Sequence, residues 1–66
     1  MILVMSKTNG IEAVEVFRVR VEGSSLVYYV KDYYPGQPVI VNMQEKKEVY
    51  IMTPEGTTWL KKGDGQ

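Results

Sequence analysis

Apolar residues occur along this chain in short runs and alternating stretches, and not at the spacing of an amphipathic helix. The clearest stretch, residues 17–22, alternates apolar and charged side chains with a period of two, which is typical of a half-buried β-strand. The runs are rich in Val, Ile, Tyr, Phe and Thr, which fit a pleated sheet. The pattern predicts strands over residues 1–7, 11–22, 25–34, 38–44, 48–53 and 57–61.

Glycine and proline mark most of the connections between these strands. The first two signals, Asn9-Gly10 and Gly23-Ser24, predict hairpins with type I′ and type II′ turns, which need positive φ at central residues. The third signal, Pro35-Gly36, fits the centre of a type II turn, and the fourth, Pro54-Glu55-Gly56, fits a type I turn closed by a glycine bulge. Residues 45–47 lack Gly and Pro, so a charged, exposed loop is expected there.

The second strand belongs to two hairpins, and these require opposite faces of it to be buried. The strand register set by the Gly23-Ser24 hairpin turns the odd residues 17, 19 and 21 inward and places Phe17 opposite Val30. Counting from the first hairpin turns the even residues inward instead. A β-bulge near residues 16–17 would reconcile the two counts and let both Val14 and Phe17 face the interior.

A long strand that is bent in its middle allows a small sheet to curl. The predicted fold class is therefore all-β: a five- or six-stranded antiparallel meander, curled into a small SH3-like or OB-like barrel or half-barrel. At 66 residues there is room for one domain, expected over residues 1–61, followed by a flexible tail at 62–66.

Composition narrows the chemistry further. Without cysteine there is no disulfide framework and no thiolate metal site, and without histidine the commonest acid/base catalyst is missing. Eight positive charges balance eight negative ones, which removes the main argument for binding nucleic acid or membrane through net charge. The apolar start, residues 1–5, is too short for a signal peptide or a membrane span, so a cytoplasmic location is expected.

Catalysis is not expected. A serine or threonine nucleophile needs a base, and the chain has no imidazole. Paired carboxylates would need a partly buried cleft, which so thin a domain can hardly enclose. The glycines stand singly at turns and not in a phosphate-binding loop, and oxygen ligands for a metal are scattered. The prediction is a protein without enzymatic activity, cofactor or metal.

Aromatic residues are the unusual feature: five Tyr, one Trp and one Phe. In the predicted register, rings alternate with cations on the outer face of the second and third strands, an arrangement that single-strand-binding sheets use. The same pairs also occur as ordinary structural cross-strand contacts, so a purely structural role is left open. The predicted binding face consists of Arg18, Arg20, Val27, Tyr29, Lys31 and Tyr33.

The favoured partner is another protein or a second copy of this chain, in a homodimer. Tyr, Trp and Arg are enriched at interfaces, and the end strands 1–7 and 57–61 carry few residues that would protect a sheet edge. A regulatory or accessory role suits so short a chain, and size alone suggests a phage or mobile-element product. Single-stranded nucleic acid is the alternative partner, and no membrane contact is expected.

Three further side chains are assigned to packing. Trp59 is expected opposite Ile51 in the core, if the last hairpin has a three-residue loop. Met43 and Met52 are expected to fill gaps in the core and not to bind a soft metal.

Overall fold

In the computed structural model, which describes residues 1–33 and 36–63 apart from the Tyr33 side chain, the chain forms six β-strands and two short 3-10 turns. All six strands lie within a few residues of their predicted positions, except that the third and fourth end early, where the 3-10 turns Lys31–Tyr33 and Met43–Glu45 follow. The described residues include no helix that is long and apolar enough to cross a bilayer. The strands are β1 (Ile2–Lys7), β2 (Gly10–Glu22), β3 (Ser25–Val30), β4 (Val39–Asn42), β5 (Glu48–Thr53) and β6 (Gly56–Lys61).

The strands form a single antiparallel sheet in the order β4-β3-β2-β1-β5-β6. Sequential neighbours pair from β1 to β4 and from β5 to β6, but β5 lies beside β1 and not beside β4, so the simple meander is wrong. β1 is a central strand and not the predicted edge, which fits its uninterrupted apolar run at residues 2–5. β6 is an edge, as predicted, and β4 is the other. Over the described residues these two edges do not pair, so the sheet is open.

The predicted bulge in β2 is confirmed. Val16 pairs with Val30 and Arg18 pairs with Tyr29, so Phe17 is the extra residue of the bulged strand. Beyond the bulge, the pairing is the one predicted from the second hairpin. An extra residue shifts the alternation by one, so even positions face the core before the bulge and odd positions face it afterwards.

The side chain of Phe17 does not face the interior, contrary to the prediction. Phe17 is 50% exposed, whereas Val16 is 2% exposed and takes the core position opposite Val30. The bulge lies where it was predicted, but its extra residue, Phe17, is the one turned away from the core. Val14 is half-buried and packs against the core, as predicted.

The first hairpin turns one position earlier than predicted. Lys7 pairs with Gly10, so the loop residues are Thr8 and Asn9, and neither has a positive φ. The type I′ assignment is therefore wrong. The resulting slip between β1 and β2 is two residues, which leaves the same side chains on each face of the sheet. The predicted register, with Lys7 opposite Glu12, and the observed one, with Lys7 opposite Gly10, bury the same side chains. The hydrophobic pattern therefore could not distinguish them, and the predicted turn position was wrong.

The other hairpins differ in how well they were predicted. Gly23 has a φ of +62°, and Gly23-Ser24 forms the expected two-residue loop. The last loop has two residues, Pro54 and Glu55, and not three, because Thr53 pairs directly with Gly56. The Thr53 hydroxyl accepts from the Glu55 N–H and donates to the Gly56 carbonyl, both at 3.2 Å. Pro35 and Tyr34 lie outside the described residues.

The core is built from both halves of the sheet, on either side of the bulge. Met43 fills it from the second 3-10 turn, as predicted, whereas Met52 is 45% exposed and is not a core residue. Because β1 and β5 on one side and β3 on the other contribute to one cluster, the sheet must bend at β2. The cluster contains Leu3, Met5, Val16, Leu26, Tyr28, Met43 and Val49.

Tyr28 is a buried phenol whose pKa differs between the folded protein and water. Burial raises the pKa of the Tyr28 phenol above its ordinary value of 10.0, and the negative charge of Glu12 raises the pKa further. Tyr28 lies on β3 and is 5% exposed, and Glu12 lies on β2 before the bulge. The folded protein therefore favours the neutral phenol.

This preference predicts the alkaline stability of the fold. The unfolded chain loses the Tyr28 proton near pH 10 and the folded chain only at higher pH, so the contribution of Tyr28 is complete below about pH 10 and is lost as pH rises through the raised pKa. We expect the free energy of unfolding of Tyr28→Phe, measured with urea, to decline less between about pH 9 and 12 than that of the parent. Glu12→Gln should give a smaller change in the same direction; parallel declines in all three proteins would contradict the assignment.

Candidate functional site

The predicted binding face lies on the outer side of β2 and β3, beyond the bulge. Arg18 is directly opposite Tyr29, and Arg20 is directly opposite Val27, as predicted. Arg18 and Arg20 are exposed, and Tyr29 is half-buried. The sheet therefore places the two arginines on the outer side of β2, with Arg18 opposite Tyr29.

Two members of the predicted face differ from expectation. Val27 is only 5% exposed, because β3 is a central strand and Val27 lies between Arg20 on β2 and Ile40 on β4. It cannot offer contact area as predicted. Lys31 is exposed but belongs to the first 3-10 turn and not to a strand. The Tyr33 side chain lies outside the described part of the structure.

Two of the cations on this face are paired with carboxylates. Arg20 Nε lies 2.6 Å from Glu22 Oε2, and Lys31 Nζ lies 3.1 Å from Glu15 Oε2. Exposed ion pairs of this kind contribute little to stability, about 0–1 kcal/mol. Their main effect is to cancel most of the positive field that a polyanion would meet.

The bulge adds an aromatic side chain that the sequence reasoning had placed in the core. Phe17 and Arg18 are consecutive in β2, and both are exposed. A bulge turns two neighbouring residues toward the same side of the sheet. The alternation of residues 17–22 is the same whether Val16 or Phe17 is the extra residue, so it does not reveal that Phe17 is exposed.

A second surface, not predicted, covers the opposite half of the sheet. Residues directly opposite each other share a face, so Ala13, Val4, Tyr50 and Trp59 form one row across β2, β1, β5 and β6. The adjacent row on one side consists of Glu15, Ile2, Met52 and Thr57, and the row on the other side consists of Ile11, Ser6 and Glu48. We call the apolar part of this outer surface the apolar face; its members are Ile2, Val4, Ile11, Ala13, Tyr50, Met52 and Trp59. Val4 is only 5% exposed, so the accessible area of this face comes from the other members.

Trp59 belongs to the apolar face and not to the core. β6 has a register shift, with Tyr50 opposite Trp59 and Val49 opposite Lys61, so Ile51 pairs with Thr58 and not with Trp59. The two-residue loop of the last hairpin produces this register, and Trp59 is consequently 43% exposed. Its ring centroid lies 4.6 Å from that of Tyr50, with the planes tilted by 45°, within the range of favourable aromatic pairs.

A sequence signal for the apolar face did exist. Residues 2–5 of β1 and 49–52 of β5 are uninterrupted apolar runs, whereas residues 17–22 of β2 alternate. Continuous runs are typical of strands that are covered on both faces. The core covers the inner faces of β1 and β5, and the apolar face is the other side of the same two strands.

A polar pocket of about 390 Å³ lies beside the second 3-10 turn. Within it, Lys61 Nζ donates hydrogen bonds to the carbonyl oxygens of Met43, at 2.9 Å, and of Lys46, at 2.7 Å. This ammonium therefore holds the turn against the edge strand β6. The lining residues are Thr8, Gln44, Glu45, Lys46, Lys47 and Lys61.

Comparisons with known proteins add no identity. No protein-family model matches this chain, and neither a curated protein nor a solved structure is significantly similar to it. The function must therefore be argued from the surfaces themselves.

The position of Lys61 predicts a structural effect that can be measured separately from binding. Lys61→Met keeps the aliphatic chain but removes two charge-assisted hydrogen bonds at the end of a 3-10 turn, which should lower the free energy of unfolding by about 1–3 kcal/mol. Lys62→Met, at the neighbouring exposed position, is the matched control and should change stability by less than about 0.5 kcal/mol. If urea denaturation shows the same decrease in the free energy of unfolding for Lys61→Met and Lys62→Met, Lys61 does not hold the 3-10 turn in this way.

Proposed function

We propose that this protein is a non-catalytic binding module that acts through contacts with protein, first of all with a second copy of itself. The observation that carries this proposal is the apolar face. Apolar side chains from four neighbouring strands form it, and Ile11, Met52 and Trp59 are 74%, 45% and 43% exposed. Exposed apolar side chains that gather on one face commonly mark a site of contact with another protein.

Burial of these side chains would supply the free energy of binding. Each Å² of apolar surface removed from water contributes about 25 cal/mol, and Trp, Tyr and Met are the residue types that interfaces favour. The Tyr50–Trp59 ring pair, already in contact at 4.6 Å, is prepared for this role because little side-chain entropy remains to be lost on binding.

A second copy is the partner that this face fits. The chain has no net charge, so two copies approach without long-range repulsion. Sheets commonly pack face to face about 10 Å apart with their strands nearly aligned. Two apolar faces related by a twofold axis would pack in this way and form a closed dimer.

The finer description of the fold is part of the same proposal. A core shared by both halves of the sheet and a bulge in the long β2 support a half-barrel of the SH3-like or OB-like kind, open between β4 and β6. A regulatory or accessory role and a cytoplasmic location are proposed with it, on the expectations drawn from size and composition.

The predicted binding face supports a second candidate function, the binding of single-stranded nucleic acid. Arg18 opposite Tyr29 is the observation that favours it, since stacking on an aromatic ring contributes about 1–3 kcal/mol per base. The ion pairs of Arg20 and Lys31 count against it, because they leave Arg18 as the cation of this face without a carboxylate bridge among the described contacts.

Introducing a charge into the apolar face tests the first candidate. Met52→Glu should move the mass in sedimentation equilibrium at micromolar concentration from dimer toward monomer, because a carboxylate would have to be buried in the contact. Ser24→Glu is the control, since it places the same charge at an exposed position in the turn between β2 and β3, outside the apolar face. If Met52→Glu and Ser24→Glu associate alike, the apolar face is not the contact.

The single tryptophan provides an independent measurement. Trp59 is part of the apolar face, so its emission should shift to shorter wavelength as the parent is concentrated and the ring leaves water. The emission of Met52→Glu should stay constant over the same range. An unchanged parent spectrum, together with a dimer mass, would show that the copies associate elsewhere.

Oligonucleotide titrations test the second candidate. If single strands bind to the predicted face, binding to a homopolymer should weaken steeply as salt is raised, and Tyr29→Ala combined with Arg18→Ala should abolish it while the fold is retained. Absent or salt-independent binding would remove nucleic acid from consideration.

A further inference from the structure

We infer that the edge strand β4 is a second self-association site, at which β4 pairs antiparallel with β4 of another copy and the two sheets become continuous. The inference shares with the proposed function only the identity of the partner, a second copy. It concerns a different surface and a different interaction, namely backbone hydrogen bonding and not the burial of a face.

The backbone of β4 presents hydrogen-bonding groups on its open side. The Met43 N–H donates to the Ser24 carbonyl at 2.9 Å, which fixes which residues of this strand turn toward β3. Backbone groups alternate between the two sides of a strand. The N–H and C=O groups of Val39 and Val41 therefore point toward β3. Ile40 and Asn42 therefore direct their N–H and C=O groups away from the sheet.

The side chains of β4 leave this edge unprotected. Edge strands usually carry charged residues, prolines or bulges that prevent pairing with another chain. Within Val39–Asn42 there is no charged residue, proline or bulge, and Ile40 and Val39 are 65% and 37% exposed. Pro38, directly before β4, offers no N–H, so an added strand can pair with Ile40 and Asn42 but is not extended by an N–H at Pro38. The opposite edge, β6, has a register shift in its pairing and ends at Lys61, so the two edges are not equivalent.

The chemistry required of an added strand identifies its occupant. It must place apolar side chains beside Val39 and Val41 on the core side and beside Ile40 on the outer side, and it needs no charge. The β4 sequence itself has this composition. With a twofold axis at Ile40, the two copies of Ile40 exchange a pair of N–H···O bonds, and each Val39 lies opposite the partner's Val41.

A proline at the axis tests this pairing without disturbing the fold. Ile40→Pro removes an N–H that points away from β3, a change that edge strands tolerate. Ile40→Ala removes the side chain but keeps the N–H, and is the matched control. Val41→Pro, which removes an N–H that points toward β3, should unfold the edge and verifies the assignment of the two sides.

The measurement is sedimentation equilibrium over a range of concentrations, carried out on the Met52→Glu protein so that the apolar face does not contribute. We expect Met52→Glu to retain a weak dimer, because a four-residue edge buries less area than a standard interface. Adding Ile40→Pro should abolish this dimer, and adding Ile40→Ala should weaken it less. Equal effects of the two substitutions would overturn strand pairing.

The outcomes separate this inference from the proposed function. If Met52→Glu is already a monomer at the highest concentration, the β4 contact is wrong and the apolar face stands. If Met52→Glu associates like the parent and Ile40→Pro alone gives a monomer, the apolar face is wrong and β4 stands. Amide exchange gives a direct second readout: the Ile40 amide should become protected as concentration rises, and constant exchange there would overturn the inference.

Discussion

The bulge at Phe17 is the constraint on which the rest of the structure depends. Without an extra residue in β2, the residues that face the core before residue 16 and those that face it after residue 18 would lie on opposite sides of one flat sheet. With it, Leu3 and Val49 from one half meet Leu26 and Tyr28 from the other in a single cluster. A chain this short has little core area to spare, so this bend is what makes one shared core available.

The same bend determines which surfaces remain for function. Curling the sheet encloses one side of β1 and β5 and leaves their other side outside, although both sides are apolar. It also leaves β4 and β6 as edges that do not meet over the described residues. The apolar face and the β4 edge therefore have one origin: a small sheet buries its inner side and, over the described residues, leaves much of its outer side and both edges uncovered.

Much of the fold could be predicted from sequence, because strand patterns and bulges are local. The alternation in residues 17–22 and the turn at Gly23-Ser24 led to the correct pairing of β2 with β3 and to the bulge. The position of β5 could not be predicted, because the choice between β1 and β4 as its neighbour depends on a long-range contact that no turn encodes. The exposure of Phe17 and Trp59 was missed for a related reason, since a one-residue difference in a bulge or loop reverses the face of every residue it affects.

The candidate site shows the same division between local and long-range information. The pairing of Arg18 with Tyr29 followed from one hairpin and was predicted correctly. The burial of Val27 was missed although the predicted meander already placed β4 beside β3, because pairing positions alone do not give the exposure of a side chain. The ion pair between Lys31 and Glu15 likewise needs the bend, because without it Glu15 would have faced Asp32. The pairing of Arg20 and Lys31 with carboxylates is our reason for proposing protein and not nucleic acid as the partner, because it weakens the positive field that would attract phosphate.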